Sequence, residues 1–192
     1  EALVFWTGGN AQKGDIEVAW KLLDKLVQVM KTREDLTTES QKEWLNRVVK
    51  AWCFHTTAPP HPKDALTKIE RYGSMLHPDP KTYGLILNAV LNKVERRQAP
   101  ILAESIVDEI LDRAESKGGA MPDIFAFNTC IDAWAKSGLP VAARKAEAIL
   151  RKAGEMAAST GMEEMHPNTV TYTAVLDAWA KSNEKIAPEH AE

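Results

Sequence analysis

The chain has 192 residues, of which 44% are hydrophobic and 27% charged, and its formal net charge is −3. This composition is typical of a folded globular protein and argues against intrinsic disorder, and no apolar run approaches the roughly 20 residues of a membrane-spanning helix. A weakly negative chain has no overall attraction to nucleic acid, so any basic surface must be local.

An internal repeat organises the chain. The segment DAWAKS occurs twice, ending at Ser137 and at Ser182, and its tryptophan has apolar equivalents further upstream. The equivalent positions are Trp6, Trp52, Val90, Trp134 and Trp179. An alanine follows each of them after 12 or 13 residues, at Ala19, Ala65, Ala103, Ala146 and Ala191. These two series predict five units, at 1–41 (partial), 42–79, 80–123, 124–168 and 169–192 (partial).

Each unit is predicted to begin with a helix that follows a proline-containing turn. The turns HPDP, MPD and HPN each place an acid or amide directly after a proline, at Asp79, Asp123 and Asn168. Such side chains accept hydrogen bonds from the first N–H groups of a helix and so favour a helix start. These turns predict first helices at 81–93, 124–137 and 169–182, and the repeat spacing places one more at 42–54.

The second helix of each unit is predicted from apolar residues three and four positions apart, such as Leu102 and Ile106. No stretch alternates apolar and polar residues as a strand does. A two-helix unit of this size cannot bury its apolar face alone, so neighbouring units must stack. The prediction is an all-α, right-handed superhelical solenoid of helix-turn-helix repeats, in which Trp52, Trp134 and Trp179 pack between helices.

The predicted first helices are more basic than the rest of the chain. Their four windows hold seven cations and three anions, whereas the whole chain has a net charge of −3. A basic layer suits contact with a phosphate backbone, and solvated lysines on any helix give the same pattern.

Three of these helices resemble the first helix of the pentatricopeptide repeat. The stretches PDIFAFNTCIDAWAKSG and PNTVTYTAVLDAWAKSN carry the resemblance, and PDPKTYGLILNAV shows it more loosely. The unit near Gln41 departs from the pattern, because Leu45 stands where the family has an aromatic residue. The units are also longer than is usual for the family. We expect the extra residues in the inter-helix turns and in tails such as GEMAASTGMEEM, from Gly154 to Met165.

The resemblance implies sequence-specific binding of single-stranded RNA, one nucleotide per repeat, in a mitochondrion or plastid. It implies that the residue after each aromatic meets the base edge, at Asn46, Gly84, Asn128 and Thr173. It implies that the residue after each closing proline assists, at Asp79, Asp123 and Asn168. Phe125 and Val170 then match the positions that sandwich a base, and Lys136 and Lys181 match a position that reaches phosphate. Helix capping by the three turn residues and plain solvation of the two lysines remain equal alternatives.

The resemblance also implies a base preference for each pair of residues. Asn46 with Asp79 selects uridine, and Asn128 with Asn168 selects a pyrimidine. Gly84 has no side chain, so its unit is indifferent, while Thr173 favours a purine. The expected tract from the 5′ end is uridine, any base, pyrimidine, purine.

No pattern in the sequence indicates catalysis or a metal site. Cys53 and Cys130 lack ligand spacing, which indicates buried free thiols in a reducing compartment. The chain has no phosphate-binding loop, no serine-hydrolase motif and no zinc-peptidase motif. We therefore expect neither enzymatic activity nor a cofactor nor a small-molecule substrate. The sequence starts at Glu1 without a leader, so we expect a part of a longer protein.

Two other classes of function remain open. A protein-binding solenoid of the tetratricopeptide kind is the main alternative, although only one of its three signature positions after Trp134 matches, at Gly138. An enzyme whose catalytic domain lies outside this stretch is the other alternative, and no residue present supports it.

Overall fold

The computed structural model describes residues 38–55 and 78–182, together with the single positions 21, 24, 25, 27, 28, 66, 67 and 69. All regular structure in these residues is helical, which confirms the all-α class for this part of the chain. The helices are α1 (Thr38–His55), α2 (Pro80–Lys93), α3 (Ala99–Lys117), α4 (Ile124–Ser137), α5 (Ala142–Thr160) and α6 (Thr169–Lys181), with a 3-10 turn at Glu163–Met165. Trp6, Ala19, Ala65, Ala191 and the side chain of Trp52 lie outside the described residues.

The three helix starts predicted from the proline-containing turns are confirmed, whereas the first helix extends from Thr38 to His55 instead of over 42–54. Asp79 Oδ1 accepts a hydrogen bond of 2.8 Å from Thr82 N and caps α2. Asp123 caps α4 through Ala126 N, and Asn168 caps α6. Each capping residue directly follows a proline, so a Pro-Asp or Pro-Asn pair stands immediately before each of these three helices.

Helices α3, α4 and α5 each end at a left-handed glycine. Gly138 follows α4 with φ of 69°, and Gly161 follows α5 with φ of 67°. This backbone region is costly for residues with a Cβ, so glycine ends these helices where a sharp change of direction is needed.

The first helices of successive units lie side by side. Helix α1 packs against α2, α2 against α4, and α4 against α6. The second helices pack beside this row, since α3 contacts α2 and α4 while α5 contacts α4 and α6. The order of contacts therefore follows the order of the units along the chain.

Equivalent positions in the first helices show how one unit covers the previous one. Phe127 and Ile131 on α4 are 1% and 0% exposed, and Tyr83 on α2 is also buried. The same positions on α6, Tyr172 and Leu176, are 53% and 68% exposed. Among the described residues no further first helix lies against α6, and its aromatic residue is not buried.

The repeated tryptophan and alanine positions are part of the core where they are described. Val90 and Trp134 are buried, and Ala103 and Ala146 are fully buried. Trp179, on the last described first helix, is only partly buried. The predicted packing of Trp134 between helices is thus confirmed, whereas Trp179 is only partly packed against the core.

The second helices are long and joined by ion pairs. Helices α3 and α5 have 19 residues each, so much of the tail that starts at Gly154 is helical. Lys145 Nζ lies 3.0 Å from Glu104 Oε1, and Lys152 Nζ lies 2.6 Å from Asp108 Oδ1. These exposed contacts link α5 to α3 and each contributes little to stability.

Candidate nucleic-acid interface

The candidate residues lie where two first helices meet. On α2, Gly84, Asn88 and Asn92 are four residues apart and share one helix face. Asn128, Asp132 and Lys136 form the corresponding stripe on α4. We name the boundary between these two stripes the α2–α4 seam, and the boundary between α1 and the start of α2 the α1–α2 seam.

A polar cluster closes the α1–α2 seam. Asn46 Nδ2 donates to both carboxylate oxygens of Asp79, at 3.2 Å each. The Thr82 hydroxyl lies 2.6 Å from Asn46 Oδ1 and 2.8 Å from Asp79 Oδ1, so its single proton is donated to one of these two oxygens. The structure therefore brings together Asn46 and Asp79, the two residues that the sequence paired.

The amide of Asn46 forms its hydrogen bonds within this cluster. It is 7% exposed, and both ends of its amide have protein partners. Asp79 is only half-buried and keeps carboxylate lone pairs that can accept further hydrogen bonds. Asp79 is consequently the more accessible member of the pair, and Asn46 fixes the position of its carboxylate.

An aromatic ring covers the glycine in the α2–α4 seam. A Cβ on Gly84 would lie 3.1 Å from Phe125 Cε1 and 3.2 Å from Phe125 Cδ1. The ring itself is 46% exposed. The position that lacks a side chain on α2 is thus approached by the Cδ1–Cε1 edge of a phenylalanine from α4.

Asn128 and Asn168 are not joined as closely. Asn128 is half-buried, and its Oδ1 is buried without a hydrogen-bond partner. Asn168 Oδ1 accepts from Val170 N at 3.0 Å and from Thr171 N at 3.3 Å. Within the described part of the chain no hydrogen bond links the two amides, so the predicted pairing is not seen as a contact.

The remaining base-edge and sandwich candidates lie at the starts of α4 and α6. Asp123 is half-buried and caps α4. Thr173 is exposed, but its hydroxyl donates 2.7 Å to the carbonyl oxygen of Thr169, which leaves it mainly an acceptor. Val170 is 64% exposed, in the same position on α6 that Phe125 has on α4.

The two phosphate candidates are exposed and paired with acids. Lys136 Nζ lies 2.6 Å from Asp132 Oδ2, and Lys181 Nζ lies 2.5 Å from Asp177 Oδ2. Each pair is one helical turn apart, so the spacing was readable from the sequence. The pairing lowers the positive charge that either lysine offers to a ligand.

Sequence reasoning missed an arginine at the end of the α2–α4 seam. Arg96, in the turn between α2 and α3, donates a hydrogen bond from Nε to the carbonyl oxygen of Lys136. It is exposed and lines a groove of about 700 Å³ together with Asn88, Asn92 and Asp132. The pair of arginines in VERRQ was the only available signal, since that turn does not match between units.

The two cysteines are buried free thiols. Burial raises the pKa of the Cys53 thiol to about 12, with the charge of Lys93 opposing the shift. Burial also raises the pKa of Cys130 far above its usual range, and nearby Glu104 adds to the increase. Both thiols stay protonated at neutral pH and are poor nucleophiles.

Within the ranges that the structure describes, no three His, Cys, Asp or Glu side chains are grouped as a metal site would need. No helix among the same residues has the length and apolar character needed to cross a bilayer.

Comparison with known proteins finds no family model that matches this chain, and no curated protein or solved structure that matches it either. The pentatricopeptide resemblance therefore depends on the repeated residues themselves.

Proposed function

We propose that this chain binds single-stranded RNA along the seams between its first helices. The observation that carries the proposal is that side chains from consecutive units meet there. Asn46 of one unit holds Asp79 of the boundary with the next, and Phe125 covers Gly84 of the preceding unit. A nucleotide lying in a seam would contact both units at once, which is how a helical repeat can assign one base to one unit.

The chemistry of the seams suits unstacked bases. The Asp79 carboxylate and the Asn128 amide can form hydrogen bonds with base edges, while Phe125 and Val170 offer exposed apolar surface for stacking. Bases in a duplex hide both their faces and their pairing edges, so these side chains favour a single strand.

The proposal includes the finer features that the resemblance implies. The stacked units would continue as a right-handed superhelical solenoid, with the first helices along one surface. The biological setting would be RNA processing, stability or translation in a mitochondrion or plastid. The single strand is the proposed partner, and the base preferences given for each pair of residues belong to the same proposal.

Binding to single-stranded and duplex RNA at two salt concentrations tests this function. We expect single strands to bind more tightly, and we expect affinity to fall with salt because phosphate contacts release counterions. Lys136→Ala combined with Lys181→Ala should weaken binding and reduce its salt dependence. Equal binding of single strand and duplex, unaffected by salt and by the double substitution, would contradict the proposal.

A protein-binding scaffold is the second candidate, and the exposed face of α6 favours it. Val170, Tyr172 and Leu176 are 64%, 53% and 68% exposed, which is unusual for apolar residues so close together. If the chain binds no RNA, and if polar substitutions at Tyr172 and Leu176 abolish capture of a helical protein partner, the scaffold becomes the better account.

A further inference from the structure

We propose that the groove at the C-terminal end of the α2–α4 seam is a phosphate-binding site, with Arg96 as its principal ligand. This inference rests on the proposed RNA function and adds to it a contact that the repeat pattern does not contain. The groove measures about 700 Å³ and lies between the end of α2, the following turn and the end of α4.

The groove combines cationic and amide donors. Arg96 and Lys136 supply the positive charges, and Asn88 and Asn92 line the same space. The Asn92 amide nitrogen donates to the Asn88 carbonyl oxygen at 2.7 Å, which leaves its second N–H available to a ligand. Guanidinium and amide donors around an open groove are suited to the oxygens of a phosphodiester.

The guanidinium of Arg96 lies against the C-terminal end of α4. Its Nε donates to the Lys136 carbonyl oxygen at the end of that helix. A guanidinium has five N–H donors, and this bond uses only one of them. With Nε directed at this carbonyl oxygen, the two terminal amino groups remain available to form paired hydrogen bonds with an anion.

The groove and the ring of Phe125 lie at opposite ends of the α2–α4 seam. Asn92 follows Gly84 by two helical turns, so the groove lies about 12 Å along α2 from the ring of Phe125. This separation is longer than the distance from a base to its own phosphate, so it suits the phosphate of an adjoining nucleotide in the same strand. A base on Phe125 could therefore place a neighbouring phosphate beside Arg96.

Asp132 limits the affinity of this site. Its carboxylate lines the groove and holds Lys136 Nζ at 2.6 Å. An anion must share that lysine with a fixed negative charge. Removing the charge of Asp132 should consequently strengthen binding of an anion in the groove.

Among the residues that the structure describes, the seam between α4 and α6 has no equivalent arginine. The position of Arg96, thirteen residues after Tyr83, corresponds to Pro140, thirteen residues after Phe127. The smaller groove beside α6, about 330 Å³, is lined by Pro140 and Lys181 but by no arginine. Of the two seams compared, only the α2–α4 seam places an arginine in its groove.

The test compares Arg96→Gln with Arg97→Gln, its exposed neighbour in the same turn. With a fluorescein-labelled single-stranded RNA, we expect Arg96→Gln to lower affinity about tenfold at low salt and to reduce the slope of log affinity against log salt by about 0.7. Arg97→Gln should change affinity less than twofold, and Asp132→Asn should increase it about threefold. Thermal unfolding of each variant verifies that the fold is kept.

A second measurement on the unmodified chain separates this site from the proposed function. Inorganic pyrophosphate should shift the NMR signal of the Arg96 Nε–H group saturably, and Asp132→Asn should tighten that binding. If RNA binds but Arg96→Gln and Arg97→Gln behave alike, the groove proposal is wrong and the RNA function stands. If RNA does not bind while pyrophosphate still shifts Arg96, the anion site stands without RNA. A response to a glutamate-rich peptide but not to pyrophosphate, or no response to either, overturns the site.

Discussion

The ring of Phe125 on α4 lies directly against Gly84 on α2, where a Cβ would come within 3.1 Å of Phe125 Cε1. Glycine inside a helix costs about 1 kcal/mol relative to alanine, so the close approach of the ring is a reason for its presence here. The ring is 46% exposed and can tilt by a few tenths of an ångström to admit a methyl group.

Because of this contact, we expect substitutions at Gly84 and Phe125 to have non-additive effects on the free energy of unfolding. Gly84→Ala alone should raise the free energy of unfolding by less than 1 kcal/mol, because displacement of the ring offsets part of the gain in helix propensity. In a Phe125→Ala background the same change should give the full gain of about 1 kcal/mol. Urea unfolding of the four proteins measures the coupling, and an identical gain in both backgrounds would show that the ring does not restrict position 84.

Asp79 and Asp123 offer a matched pair for the polar cluster. Both cap a first helix, but Asp79 also accepts from Asn46 and lies within hydrogen-bond distance of the Thr82 hydroxyl. We expect Asp123→Ala to cost about 1 kcal/mol and Asp79→Ala about 2 to 3 kcal/mol, since the second change also leaves the buried Asn46 amide without its acceptor. Chemical denaturation measures both values. Equal losses would mean that the cluster adds nothing to the cap.

Trp134 should tolerate phenylalanine better than its size suggests. The residue is 3% exposed, its Nε1 has no hydrogen-bond partner, and Lys145 Nζ lies 5.6 Å from the centre of its ring. Trp134→Phe removes the unpaired donor and keeps most of the apolar contact, so we expect a loss of about 1 kcal/mol, against about 3 to 5 kcal/mol for Trp134→Ala. A loss for Trp134→Phe as large as that for Trp134→Ala would indicate that the indole nitrogen does have a partner.

Because its thiol is buried, we expect Cys53 to lower the free energy of unfolding in alkaline solution. The pKa of Cys53 is about 12 in the folded chain against an ordinary value of 9.0, so between these limits the folded state keeps a proton that the unfolded state releases. Stability is therefore unaffected by this group below about pH 9 and falls by about 1.4 kcal/mol per pH unit above it. Cys53→Ala should remove that part of the slope when unfolding is measured between pH 8 and pH 11. An unchanged slope would show that this thiol ionises as readily in the folded state.

The fold was predictable from the sequence where the signal is local. A proline followed by Asp79, Asp123 or Asn168 determines a helix start through bonds within four residues, and the aromatic position that follows is buried in two of the three helices. The ion pair between Asp132 and Lys136 is also local, because the two residues are one helical turn apart, and its spacing was predictable from the sequence.

The contacts that build the seams were not predictable in the same way. Arg96 reaches the end of α4 only because α2 packs beside that helix, and no repeated motif marks the turn in which it lies. The approach of Phe125 to Gly84 depends on the distance between two helices, which residue spacing within one helix does not give. The lack of a hydrogen bond between Asn128 and Asn168 was not predictable for the same reason. Two residues can match positions of a repeat pattern without having side chains within bonding distance.

The central claim is that side chains in the seams select bases of a single strand, and selection from a random single-stranded RNA library tests it most directly. The unmodified chain should enrich the tract uridine, any base, pyrimidine, purine. Asn128→Thr should shift the third base from pyrimidine toward adenine and leave the other three unchanged, because only the side chain facing that base is altered. Enrichment of no sequence, or the same third base in both proteins, would contradict base selection by Asn128.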